Sequence, residues 1–313
     1  MKIVKPSFEI WEQRSNLEDV YKQIEKASRV CYKSENKITE DSAKPFVDRM
    51  IKSGHGAVLE HGTVYLQLHW NHDISEEFDN IWHGYTPNPY SKIVRTIQED
   101  DLCPTLYVTT NYRVLAENDW LNDLKHLCEP TKLHEKRVTV KFILSRSIAQ
   151  EYTRHRVFSF AMESQRYCNY SKNKFGSEVT FVKPSWLDIP EGKYTNIAKQ
   201  SSEDGEYKQI MLHEDNISAY LLTTTIEGRF LWSCLWSEHN YFDLISQGCK
   251  PQEAREVLPN ACKTELVMTG FVSDWEHFFK LRCAADAHPQ ARELAIPLRE
   301  EFIKRGYIKQ TIS

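Results

Sequence analysis

The stretch "RHRVFSFAMESQRY", Arg154–Tyr167, sets a histidine between two arginines, then seven residues, then a serine, a glutamine and a third arginine. Just upstream, "KRVTVKFIL" (Lys136–Leu144) is rich in β-branched residues and predicts a strand. Two readings of the cationic cluster compete. One is a helix end, where Arg and His meet the negative pole of the macrodipole. The other is a phosphate grip, because the planar, permanently charged arginine fork matches phosphate oxygens. On the second reading a turn brings Ser164 and Arg166 back beside Arg154. His155, flanked by like charge, is then expected to be neutral.

Working outward, "TVYLQLHW" alternates, with Val64, Leu66 and Leu68 on one face of a strand. Ser15–Cys31 predicts a helix, with Leu17, Val20, Tyr21, Ile24, Ala27 and Cys31 at helical spacing and a Ser15–Glu18 capping box. A second helix is expected from about Asp41 to Ile51, stopping at Gly54. Between the two strands, about residues 71–135 have a different character. "GYTPNPYSK" is turn-rich and "NYRVLAENDWLNDLKHLCEP" predicts an amphipathic helix, so the segment reads as an insertion and not as a separate domain. Further on, "FVKPSWLDIPEGKYTN" predicts a loop, and Glu206–Gln247 predicts helices with Trp232 and Trp236 one turn apart. Ser273–Leu281 predicts a helix with a Ser273–Glu276 capping box, and a last helix follows Pro289, with a kink expected at Pro297. Strands and helices mix without strict βαβ alternation, which points to α+β: one domain over 1–313, with a central β-sheet flanked by helices.

Composition narrows the function. The 313 residues carry a formal net charge of −4, too acidic for a broad nucleic-acid face, so any basic site must be local. No apolar run approaches a membrane span, and "MKIVKPSFEIWEQRS" shows no continuous apolar signal region, so a cytoplasmic location is expected. The eight cysteines form no CxxC pair, which speaks against a zinc knuckle or a thioredoxin-like motif.

Three more clusters stand beside Arg154–Tyr167. "GHGAVLEH" offers His55, Glu60 and His61, but His55 and Glu60 lie about 140° apart on a helix, so no metal site is expected. "PQEAREVLP" puts Arg255 on a short helix opened by Pro251. "DWEHFFKLR" places His277 and Arg282 on a helix whose Trp275, Phe278 and Phe279 read as core.

Taken together, RHR, seven residues and Ser, with "GHGAVLEH" upstream and "AREVLP", "HFFKLR" and "HPQARELA" downstream, resemble the flavin-dependent thymidylate synthases, the ThyX family. The resemblance implies reductive methylation of dUMP to dTMP. Methylenetetrahydrofolate would supply the carbon, and FAD recharged by NADPH the hydride, in a homotetramer whose active sites draw on several subunits. It implies that Arg154, His155 and Arg156 contact FAD, with His55, His277 and the positions of Ala57 and Ser273 also on the cofactor. Glu163, Ser164, Gln165, Arg166, Arg255 and Arg154 would line the dUMP site, with Glu151 near the base. Arg282 would be the catalytic residue, stabilising ionised uracil N3. Tyr167 would neighbour the nucleotide.

The chain also departs from the family pattern. Ala161 and Met162 stand where Asn-Glu is common, and Glu163 comes one place later. Glu151 replaces a frequent Gln, Ala57 a Ser or Thr, and Ser273 an arginine that contacts FAD in relatives. No Pro-Cys dipeptide is present, which fits a mechanism without a cysteine nucleophile; Ser164 has no evident base and is assigned to binding. The departures keep other readings open: a nucleotide-binding regulator without turnover, or a sister flavoenzyme modifying a pyrimidine nucleotide. An RNA-binding protein using "RYCNYSKNKF" would need a wider basic surface.

Overall fold

The computed structural model describes residues 1–98, 101–172, 176–200, 207–213, 219–221 and 225–310. In chain order the strands are β1 (Lys2–Val4), β2 (Ser7–Trp11), β3 (Thr63–His69), β4 (Lys92–Gln98), β5 (Asp101–Asn111) and β6 (Arg137–Ser145). They continue with β7 (Ser159–Met162), β8 (Thr180–Val182), β9 (Gly192–Gln200), β10 (Tyr207–His213), β11 (Ala219–Leu221) and β12 (Lys263–Phe271). The helices are α1 (Leu17–Tyr32), α2 (Ala43–Lys52), α3 (Ser75–Tyr85), α4 (Tyr112–Glu117) and α5 (Arg146–Tyr152). After them come α6 (Ile226–Ser246), α7 (Pro251–Ala254), α8 (Val272–Arg282) and α9 (Pro289–Lys304). The class is α+β, as the sequence implies.

The antiparallel sheet β2-β6-β12-β7 carries the motif. Val138, Val140, Phe142 and Leu144 of β6 and Leu266 and Met268 of β12 pack against Trp275, Phe278 and Phe279 of α8 and Leu294, Leu298 and Phe302 of α9. Full burial of each such side chain stabilises by about 1.5–3 kcal/mol relative to exposure. Trp275 anchors the layer: its ring centroid lies 4.7 Å from Phe158 and 5.4 Å from Phe302, and its indole N–H donates to Val138 O at 3.1 Å. The apolar stripe that fixes α8 therefore leaves His277 and Arg282 on its outer side.

The segment read as an insertion is built into the fold. β5 pairs with β3 from Thr63↔Asn111 to His69↔Thr105, and β4 pairs with β5, so a three-stranded sheet forms that β3 could not make alone. Val64, Leu66 and Leu68 of β3, expected on one face, bury against Phe78, Ile81 and Tyr85 of α3 and Leu106 and Val108 of β5. The single helix expected over Asn111–Pro130 is broken. α4 stops at Glu117, Asp119 takes a φ of +60°, and the chain resumes as a 3-10 turn at Leu121–His126. Asn118 and Asp119 are poor helix formers, and Asp tolerates the left-handed region. Trp120 then docks on Tyr85, ring centroids 4.7 Å apart.

A third sheet runs β11-β10-β9-β1-β8, with β1 and β8 parallel. It corrects two expectations. Phe181 and Val182 belong to β8 and Gly192–Asn196 open β9, so only the middle of the expected loop is irregular. Within Glu206–Gln247, β10 and β11 are strands and only α6 is helical, with residues 206, 214–218 and 222–224 outside the described ones. Short apolar runs do not distinguish helix from strand by period alone. Trp232 and Trp236 do meet on α6, ring centroids 5.2 Å apart.

The helix caps differ as well. Asn16, not Ser15, caps α1, its Oδ1 accepting from Asp19 N at 2.8 Å. At α8 the N–H of Phe271 donates to Asp274 Oδ2 at 3.0 Å, while Ser273 bonds Glu135 instead of forming a box with Glu276. α9 begins at Pro289 and stays helical through Pro297. No helix among the described residues is long and apolar enough to cross a membrane.

Candidate active site

The cationic stretch sits at a helix C-terminus, as the first reading has it. Ser145 caps the start of α5, and the helix unwinds through Thr153 N→Ala149 O at 2.9 Å, Arg154 N→Glu151 O at 3.4 Å and His155 N→Tyr152 O at 3.1 Å. The arginines thus close a helix C-terminus, and Arg154 and Arg156 are both exposed. His155 between them is 7% exposed, with its ring 5.0 Å from Phe278 and 6.2 Å from His277.

Arg282, from the end of α8, reaches this turn. Its Nε donates to His155 Nε2 at 3.0 Å, Nη1 to Glu151 Oε2 at 2.7 Å and Nη2 to Glu151 O at 2.6 Å. As acceptor, Nε2 carries no proton, so the imidazole is neutral with its hydrogen on Nδ1. Burial pushes the His155 pKa down to about 4, with Arg282 and then His277 adding like-charge repulsion. The neutral ring expected from the sequence is found, but its cause is burial and Arg282, not the flanking arginines.

Ser164 is carried elsewhere. β7 runs alongside β12 from Ser159↔Thr269 to Met162↔Leu266, and its 4 residues alone span on the order of 13 Å. No turn brings Ser164 and Arg166 back to the Arg154 turn within one chain, because an extended strand separates them. Ser164 N donates to Cys31 O at 3.0 Å, and its Oγ accepts from Arg166 N at 3.3 Å. Arg166 is exposed over Tyr167, which leans on Tyr32 at 5.1 Å. Gln165 is buried and donates to Cys262 Sγ at 3.4 Å.

The unusual residues before Ser164 have packing reasons. Ala161 is buried among Trp11, Ala27, Val30 and Val267, and Met162 packs on the α8–α9 core. Glu163 is 1% exposed and pairs with Lys263 Nζ at 2.8 Å. Lys263 also meets Glu265 at 2.7 Å, and Glu265 takes Lys33 and Lys141 at the same distance. Burial alone would raise the Glu265 carboxyl, but Lys263 and Lys33 outweigh it and hold it well below the usual range.

The remaining candidates fall around these two ends. His55 and Ala57 are exposed at the 3-10 turn Gly56–His61, with His55 Nδ1 3.2 Å from Ser53 Oγ. Glu60 pairs with Arg113 from α4, and fully buried His61 bonds Thr269 Oγ1 through Nδ1 at 2.8 Å. His277 is exposed beside His155, and Ser273 is exposed against Glu135. Arg255 follows α7 and pairs with Glu256 at 3.3 Å; the neighbouring Ala254 packs in the cluster that holds Cys262 and Cys168. Sequence reasoning missed Arg137 and Lys92, which join Arg156 in lining a cavity of about 300 Å³. Nothing in their local sequence marks them, since the three come from two different sheets and a turn that meet only in the folded chain.

Comparison with known proteins adds the following. Residues 99–305 match the family described as "Thymidylate synthase complementing protein". "GHGAVLEH" lies upstream of the matched span. A flavin-dependent thymidylate synthase of Mycobacterium marinum is 29% identical over 160 residues, 51% of this chain and 54% of that protein. The Corynebacterium glutamicum enzyme of the same name is 30% identical over 177 residues, 55% and 61% of the two chains. The Pyrococcus furiosus one is 29% identical over 168 residues, 54% of each. The chain spans about half the length of the curated relatives it matches. Among solved structures, a UMP/dUMP methylase PolB from Streptomyces cacaoi bound with 5-Br UMP aligns over 97% of this chain and 92% of its own, at 15% identity and a TM-score of 0.41. With its RHR turn at the end of α5 and the matched span running through α9, the chain belongs to the thymidylate synthase complementing protein family, the flavin-dependent thymidylate synthases.

Proposed function

We propose that the protein reductively methylates dUMP to dTMP, with methylenetetrahydrofolate as carbon donor and FAD recharged by NADPH, as one catalytic domain working in the cytoplasm. The observation that carries the reading is the Arg282 clamp. Three of the five guanidinium N–H donors are held by Glu151 and His155, which fixes the fork and leaves two for a ligand. A fork so oriented suits the developing anion at uracil N3, and Glu151 and neutral His155 set its direction.

The donor set fits a flavin dinucleotide. Arg154 and Arg156 face outward with no carboxylate in ion-pair range among the described residues, and His277 stands exposed next to His155. Arg154, His155, Arg156 and His277 would hold the cofactor, with His55 and the backbone at Ala57 and Ser273 beside it. When bound, FAD would supply the hydride. Ser164, Gln165, Arg166 and Arg255 are assigned to dUMP. Glu163, assigned to the same site, is 1% exposed and paired with Lys263, so it would act there from behind Ser164.

Two further observations support the reading. Burial raises the thiols of Cys31, Cys262 and Cys283, that of Cys262 to about 12, whereas a nucleophilic cysteine needs a lowered value. The separation of Ser164 from the Arg154 turn by β7 favours a site assembled from more than one copy, in keeping with a homotetramer.

The test is to mix FAD-loaded, anaerobically reduced protein with dUMP and methylenetetrahydrofolate and assay dTMP. Product with the wild type, and little with an Arg282→Ala variant that still holds FAD, supports the reading. Binding of flavin and dUMP without dTMP would favour a nucleotide-binding regulator or a sister enzyme.

A further inference from the structure

The cavity of about 300 Å³ between the inserted sheet and the RHR turn has an unusual charge balance. Arg137 opens β6 and is 8% exposed, yet its guanidinium donates only to neutral acceptors among the described residues: Glu60 O at 3.1 Å, Thr63 Oγ1 at 3.3 Å and Ser159 Oγ at 3.4 Å. Its Nε is buried with no hydrogen-bond partner among the described residues. Arg156 comes from the RHR turn and Lys92 from β4, and neither forms an ion pair among the described residues. Phe271 holds two of these cations together, its ring 5.6 Å from Lys92 Nζ and 5.6 Å from the Arg137 guanidinium carbon. Against the three cations the lining offers one carboxylate, Asp274, which accepts from Phe271 N at 3.0 Å.

We infer that Arg137, Arg156 and Lys92 form a phosphate-binding subsite, with the inserted sheet supplying Lys92 as its far wall. The surplus of positive charge is two, the charge carried by a pyrophosphate diester. A buried guanidinium with an idle N–H is a donor awaiting an acceptor, and a fork with fixed geometry suits phosphate oxygens. The volume suits a phosphate-bearing tail, and Tyr90, 53% exposed, stands at the lining where the remainder of a ligand would emerge. Burial pushes the Arg137 guanidinium down to about 10 against the pull of Tyr65, Glu60 and Asp274, and it is still charged at neutral pH. Assigning the phosphates to the flavin dinucleotide rests on the proposed function; the subsite itself does not.

The experiment is calorimetric titration of the flavin-free chain with inorganic pyrophosphate, for wild type, Lys92→Met and Arg137→Met. Lys92 is exposed, so Lys92→Met keeps the test alive should Arg137→Met fail to fold. The expected result is binding that weakens at least tenfold in Lys92→Met and shows a shallower salt dependence. Displacement of pyrophosphate by FAD assigns the subsite to the flavin, and displacement by NADPH alone assigns it to the nicotinamide dinucleotide; either supports it. No heat at millimolar pyrophosphate, or equal binding by wild type and Lys92→Met, overturns it. Lysine-dependent pyrophosphate binding by a protein that makes no dTMP would keep the subsite and discard the synthase reading.

Discussion

Phe158 lies so close to Gly270 that a methyl group built on the glycine would stand 2.6 Å from two ring carbons. The ring cannot retreat, because it is 5% exposed and wedged on Trp275. Since Phe158 ends the RHR turn, with its N–H donating to His155 O at 3.1 Å, the bare glycine is what lets that turn dock on β12. Gly270→Ala is expected to cost about 1–3 kcal/mol by overpacking. Thermal unfolding measures it, and a second change, Phe158→Leu, should recover part of the loss; an unchanged melting temperature would count against this packing.

Arg282→Lys keeps the charge and loses the fork. An ammonium cannot bond His155 and both Glu151 oxygens in the same plane. We expect dTMP formation to fall by about 100-fold, the scale of one lost transition-state donor, while FAD affinity measured by fluorescence changes little. Near-normal turnover would show that charge alone suffices.

Acid should unfold the protein through two histidines. Burial holds His61 at about 3 and His155 at about 4, both below the unfolded 6.5. Between those values the unfolded chain takes up protons that the folded chain refuses, so stability falls as pH falls. The slope is about 1.4 kcal/mol per pH unit for each histidine between roughly pH 6.5 and 4. Urea unfolding at pH 7 and pH 5 reads this directly, and His61→Gln should flatten the dependence by about half.

Removing Lys263 strands one buried carboxylate, Glu163, because Glu265 keeps Lys33 and Lys141. Lys263→Met deprives both Glu163 and Glu265 of a partner and is expected to cost about 3–5 kcal/mol. Glu163→Gln should cost much less, because the amide oxygen can still accept from the ammonium. Denaturant midpoints for the two variants, compared in one buffer, decide it.

The first helix offers a clean control on caps. Asn16→Ala should cost about 1 kcal/mol, and Ser15→Ala less, because only Asn16 accepts from the first turn of α1. Equal losses would mean that Ser15 shares the role.

These contrasts show what the sequence made legible. The alternation of β3 and the aromatic stripe of α8 were readable through their fixed period, and β6 through its β-branched run, which is buried on both faces. Arg154, His155 and Arg282 were singled out through the family resemblance, and the fold places Arg282 against His155 and Glu151. The break at Asp119, the strands within Glu206–Gln247 and the pairing of β3 with β5 were not readable, because each is settled by partners distant in sequence. Arg137 and Lys92 stayed hidden for the same reason, as did Ala161, whose small size answers to Trp11 and Val267 across the sheet.

The strand between the RHR turn and Ser164 also makes the seven-residue spacer a ruler. β7 is an edge strand whose Ser159 and Ala161 alternate with Phe160 and Met162 between two differently packed faces. Adding or deleting one residue there would swap those faces and shift either the turn or the serine along the sheet. Side chains within the spacer can therefore drift, as Ala161 and Met162 show, while its length cannot.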